Sequence, residues 1–128
     1  MIRALIVVSM MTGLLSQAGS TSALKDCREH PKLAGSCFDV NGRLSVYNGA
    51  PSLRIWRIGT KRMLGISEQR FALEGFRKVP DEVEQAIKPD VELFGIYTVC
   101  PFTRLKQGEM QLVCVDRVRN LVIKPRRE

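Results

Sequence analysis

The chain has 128 residues, 20 Lys or Arg against 13 Asp or Glu, a net charge of +7, four cysteines and one histidine. That length accommodates one domain with a modest core and excludes two, and a single histidine leaves little for a histidine-based metal centre. The basic excess favours anionic partners through a long-range attraction that weakens with salt, without specifying any of them.

Residues 1–23 open with Arg3, continue through an apolar run from Ala4 to Leu15 and end on Thr21-Ser22-Ala23. This is the layout of a secretory signal peptide, and the run is too short for a membrane span, which needs about 20 apolar residues. Cleavage after Ala23 is the expectation, leaving 105 residues (128 minus 23) and a charge of +6 once Arg3 is gone. A periplasmic or secreted location follows, with no transmembrane segment after cleavage. Residues 24–36 carry His30-Pro31 and Gly35-Ser36 without periodicity and are expected to form an irregular lead-in fastened by Cys27.

A single β-rich domain is expected over residues 37–124. In "CFDVNGRLSVY" the apolar residues Phe38, Val40, Leu44 and Val46 alternate with Asp39, Asn41, Arg43, Ser45 and Tyr47, the period of a half-buried strand. Gly42 falls on the apolar face, where a missing side chain permits a bend or bulge. Asn48-Gly49-Ala50-Pro51 predicts a turn, "SLRIWRI" a second strand, Gly59-Thr60-Lys61-Arg62 another turn and "MLGI" a short third strand. No period dominates residues 67–79.

Residues 79–89, "VPDEVEQAIKP", predict a short helix. Proline suits its first position, Asp81 and Glu82 complement the positive end of the dipole, and Pro89 stops it. Val79, Val83, Ala86 and Ile87 share one face, which must lie on a sheet because two turns are not stable alone. "DVELFGIYTVC" and "EMQLVCVDRV" read as the last two strands, with Asn120 breaking the second before "LVIK" and a basic end at residues 125–128. The order β-β-β-α-β-β is that of the five-stranded OB-fold barrel, so a mostly β, OB-like barrel with one short helix is the expected fold.

Four cysteines in an exported domain indicate disulfides, since gaps of nine and thirteen residues lack metal-site spacing. Cys100 and Cys114 suit a bridge across a hairpin, with Cys27 to Cys37 pinning the lead-in. The other two pairings stay open; Cys37 to Cys100 would join the first and fourth strands, which neighbour each other in a closed barrel.

Catalysis is not expected. GxSxG, HExxH, P-loop and GxGxxG patterns are missing. His30 lies in a proline-flanked lead-in, where an exposed or capping role is expected, and Asp81, Glu82 and Glu84 are explained by the helix dipole. No cofactor or metal is expected. Charge is segregated: residues 52–79 hold seven Lys or Arg against Glu68 and Glu74, while residues 80–99 hold Lys88 against Asp81, Glu82, Glu84, Asp90 and Glu92.

The candidate ligand-binding residues are Arg43, Tyr47, Arg54, Trp56 and Arg57, an aromatic and arginine set able to stack on a planar ligand while holding an anion. Alternation puts Arg54, Trp56 and Ile58 on one face and Leu53, Ile55 and Arg57 on the other, without deciding which face is core. Ordinary core packing of Trp56 and cross-strand pairing of Arg43 and Tyr47 are the competing readings.

The runs "CFDVNGRLSVYNGAPSLRIWRIGTKRMLGI" and "FGIYTVCPFTRLKQGEMQLVCVDRVRNLVI" resemble a group of small secreted bacterial proteins with four cysteines and no assigned activity. The resemblance spans residues 37–66 and 94–123 and implies an exported, cysteine-bridged domain; it supplies no catalytic residues. In topology alone the chain is similar to the small periplasmic bacterial OB-fold proteins, which are binding modules and generally lack the four cysteines. The expected function is a non-enzymatic binding module for an anionic ligand or an envelope protein, with nucleic acid not expected. A structural or inhibitory protein that binds another protein is the alternative, and a hydrolase with an unrecognised site ranks behind it.

Overall fold

The computed structural model describes residues 23–68 and 74–127, with Ala4 and Gly13. The export segment expected at residues 1–23 thus falls, but for Ala4, Gly13 and Ala23, outside the described residues, as does part of the stretch 67–79. A 3-10 turn at Cys27–Glu29 precedes β1 (Phe38–Val46), β2 (Leu53–Arg57), β3 (Met63–Ile66), α1 (Asp81–Ala86), β4 (Val91–Pro101) and β5 (Gln111–Pro125). The protein is mostly β, with five strands in one sheet and one short helix, as the alternating segments predict. No helix among the described residues is long and apolar enough to cross a membrane.

Each strand pairs with two others in the order β1-β2-β3-β5-β4, and β4 returns to β1, so the sheet closes on itself. All the pairings are antiparallel except β3 with β5. Closure gives the period-two pattern an inside: Val40, Leu44, Leu53, Ile55, Leu64, Ile66, Leu93, Tyr97, Val99, Val113 and Val115 are buried together. Val79 and Val83 join that core, and Ala86 and Ile87 pack against it, which is the helix face predicted. Pro80 serves as the N-cap instead of the first helical residue, so the helix begins one residue later than expected.

Gly42 pairs with Arg57 on one side and Gly95 on the other, both without a register shift. Its role is close approach instead of a bend. A Cβ there would overlap Ile55 Cγ2 and lie 3.2 Å from Tyr97 Cδ2. Gly42→Ala is therefore expected to lower stability by about 1–3 kcal/mol, the usual cost of overpacking, read as a fall in the urea midpoint at unchanged slope.

Irregularities lie elsewhere, at two register shifts between β4 and β5, one at Phe94/Ile96 and one at Thr98/Val99. Phe94 faces Val122 and Ile96 faces Arg119, so two steps along β4 (94 to 96) oppose three along β5 (119 to 122). Asn120, at φ 55°, absorbs the extra residue. The break expected at Asn120 is thus corrected: β5 runs through it to Pro125, and the Arg126 N–H donates to Asp90 O at 2.8 Å.

The disulfides are Cys27–Cys114 and Cys37–Cys100, with Cα separations of 6.0 and 4.1 Å. This corrects the expected Cys27–Cys37 and Cys100–Cys114 pairs and realises the alternative that ties β1 to β4. Cys100 and Cys114 do face each other across β4 and β5. The hairpin argument supplied proximity, but closure of the barrel brings Cys37 alongside Cys100 through the Phe38–Val99 pairing, leaving Cys114 to the lead-in. The sulfurs of Cys27, Cys100 and Cys114 lie within 4.8 Å of one another, all committed to disulfides.

That attachment orders residues 25–34. The Arg28 Nε donates to the Asp116 carboxylate at 2.7 Å, and the Arg28 backbone N–H donates at 3.1 Å. Burial raises the Asp116 pKa, but the hydrogen bonds and charge of Arg28 outweigh it and hold this carboxyl below its usual range. Of the exposed or capping role expected for His30, the capping half holds, since His30 is the C-cap of the 3-10 turn with its N–H donating to Cys27 O at 3.1 Å, while the exposed half is corrected because the residue is buried. Its ring lies 4.5 Å from Phe76 and 4.9 Å from Phe102, and Nδ1 accepts from the Lys32 N–H at 3.1 Å.

Candidate functional site

With the odd-numbered residues Leu53 and Ile55 turned into the barrel, β2 presents Arg54 and Trp56 outward. The register then lines up one outward residue from every strand. Met63 of β3 pairs with Trp56, Trp56 with Arg43 of β1, Arg43 with Phe94 of β4, and Phe94 with Val122 of β5. The adjacent row holds Arg54 opposite Ser45 and Glu92 opposite Lys124. Cross-strand neighbours of this kind are close enough to interact directly.

Cations sit on the rings. The Arg43 guanidinium lies 4.8 Å from the Trp56 ring centroid, and the Lys124 ammonium 5.1 Å from that of Phe94. The guanidiniums of Arg54 and Arg126 lie 5.0 and 5.3 Å from the Tyr47 ring. Such contacts contribute roughly 0.5–1 kcal/mol each at exposed sites and fix where the positive charge stands. Hydrogen bonds add to this. The Trp56 Nε1–H donates to Thr60 O at 2.7 Å, the Arg54 Nε–H to Pro51 O at 3.0 Å, and Arg126 Nη1 to Val46 O at 2.5 Å and Pro89 O at 3.3 Å.

Between the rows lies a cleft of about 270 Å³ lined by Arg43, Trp56, Glu92, Phe94, Lys124 and Arg127. At its base Glu92 is 7% exposed, with Arg43 Nε 3.9 Å from its Oε1. Arg43 Nε and Ser45 Oγ are buried without a hydrogen-bond partner among the described residues. Buried polar atoms rarely stay unpaired, so this corner is the least satisfied part of the described surface. A second cleft, about 500 Å³, lies between Lys61–Met63 and residues 105–111. There the Arg62 Nη2 is 3.5 Å from Gln111 Oε1.

Of the five candidate residues, the structure gathers Arg43, Tyr47, Arg54 and Trp56 on one outer surface. Arg57 is set apart. It ends β2 in the alternate register, opposite Gly42, and its backbone carbonyl accepts from the Thr60 hydroxyl at 2.7 Å. Glu92, Phe94, Lys124, Arg126 and Arg127 belong to the site and were missed. Alternation along β4 would have put Glu92 and Phe94 in phase outward, but Glu92 read as one of an acidic patch. The structure corrects that placement, since Glu92 is sunk among cations while Asp81 pairs with Arg77 four residues before it.

Comparison of the chain with protein-family models, curated proteins and solved structures finds no match in any of the three.

Proposed function

We propose that the protein is an exported, disulfide-stabilised binding module that captures an anionic ligand on the outer surface of an OB-like barrel. The observation that carries this reading is the pair of cations held over Trp56 and Phe94 around one cleft, with two more held over Tyr47 beside a neighbouring cleft. Charges fixed by rings and backbone carbonyls need little reordering on binding, so more of the attraction reaches the ligand. The strand order β1-β2-β3-β5-β4, with the helix between the third and fourth strands, is that of OB-type barrels and supports that architecture. Two disulfides are compatible with the oxidising periplasm or exterior.

No catalytic role is assigned. His30 is enclosed by two phenylalanine rings, and Asp81 is ion-paired with Arg77. The test is a titration read by Trp56, the chain's one tryptophan. Polyanions added at low salt are expected to shift its emission, with affinity falling at least tenfold by 0.3 M salt. Arg43→Ala should weaken binding by a further tenfold. Emission unmoved by every polyanion class rejects the reading.

Capture of a protein partner is the second reading, favoured by neighbouring Val122 and Ile123 of β5, which are 48% and 52% exposed. Pull-down from envelope extract would then recover one dominant partner whose retention is lost in Ile123→Lys.

A further inference from the structure

We propose that the cleft between Trp56 and Phe94 takes an acidic sugar, with ring hydroxyls on Glu92 and a carboxylate on Lys124 and Arg127. This rests on the anion-binding reading above and narrows it to a ligand class. Glu92 carries the argument. A phosphate or sulfate entering a cleft floored by a carboxylate meets like charge, which costs affinity. A ligand that places an O–H there donates to Glu92 instead, while its own negative charge meets the cations at the mouth.

The unsatisfied atoms point the same way. Glu92 is 7% exposed, and Arg43 Nε is buried, ion-paired with it at 3.9 Å and without a hydrogen-bond partner among the described residues. A hydroxyl at the cleft floor gives to the Glu92 carboxylate and, once the Arg43 side chain turns to bring Nε out of its cover, accepts from the guanidinium. One alcohol group thus completes both, which a group that only accepts hydrogen bonds cannot do. Ser45 Oγ, also buried and without a hydrogen-bond partner among the described residues, lies in the row that holds Arg54 and Glu92.

The rings argue against a nucleobase. One face of Trp56 already holds Arg43 and one face of Phe94 already holds Lys124. A stacking base competes with those cations for the ring faces. Size agrees: about 270 Å³ lies at the small end of ligand sites and suits one sugar ring.

The test uses the intact secreted protein with four probes: a galacturonic acid trimer, a galactose trimer, inorganic polyphosphate and a single-stranded oligonucleotide. Trp56 emission and calorimetry are the readouts. The galacturonate trimer is expected to bind, with the neutral trimer at least tenfold weaker. Glu92→Gln should weaken the galacturonate trimer at least tenfold while leaving polyphosphate unchanged or tighter. Lys124→Gln, at an exposed position, should weaken the acidic trimer while keeping the melting temperature, so the proposal does not depend on how Glu92→Gln folds. Polyphosphate or oligonucleotide binding as tightly as the acidic trimer, with Glu92→Gln harmless to it, overturns the sugar assignment and leaves the anion site standing. Silence from all four probes overturns both.

Discussion

Replacing both cysteine pairs with alanine is expected to leave the domain unfolded at 37 °C, and replacing Cys27 and Cys114 alone to cost about 4 kcal/mol. The bridges span 87 and 63 residues, far longer than the loops of 10–15 residues that adjacent pairing would have closed. Loop closure entropy grows with the logarithm of length, so each bridge restricts the unfolded chain more than a local one. The second loop lies inside the first, and the two contributions add less than fully. Against a total stability of about 5–15 kcal/mol for a domain of this size, losing both exceeds what the core can offset. Urea titration of the single-pair variant, followed by circular dichroism of the double variant, checks this. Cooperative native melting of the fully reduced protein at 37 °C would refute it.

The second large effect centres on Tyr97. Its ring is fully buried inside the barrel and its hydroxyl donates to Leu93 O at 2.7 Å. Tyr97→Ala should cost about 3–5 kcal/mol through the cavity it leaves. Tyr97→Phe keeps the volume and should cost only about 1 kcal/mol for the lost hydrogen bond. The pair separates packing from polarity.

Burial also pushes the Tyr97 phenol above its ordinary value of 10.0. The folded state therefore holds the proton at a pH where the unfolded chain releases it. Its contribution is complete below about pH 10 and is lost as pH rises through and beyond that value. Wild-type protein should lose stability steeply above pH 10, and Tyr97→Phe should flatten that alkaline limb. A limb of equal slope in both proteins would place its origin elsewhere.

Much of this framework was legible beforehand. Alternation found the five strands, Asn48-Gly49 and Gly59 found the turns, and the Val79, Val83, Ala86 and Ile87 stripe found the helix and its buried face. What failed was long-range. Asn120 carries a local signal for a break, yet the β4 ladder holds β5 together on both sides of it and converts the break into a bulge. Cys100 and Cys114 were correctly judged to be close, but proximity in one hairpin says nothing of a third strand arriving beside it. His30 was read from its proline-flanked neighbours, whereas its burial follows from a disulfide attached 87 residues away in sequence.

The site shows the same division. From its amino acids alone the chain determined that Arg54 and Trp56 share a face, that Arg43 and Tyr47 share another, and that the domain is basic and cysteine-bridged. A period of two fixes the relative phase of side chains along a strand and leaves the absolute phase free. Only closure of the sheet set that phase, turning Leu53 and Ile55 inward and Trp56 out beside Arg43. It also brought Glu92, Phe94 and Lys124 from strands that begin 34 or more residues after β2 ends, an adjacency that depends on ladder register between distant segments.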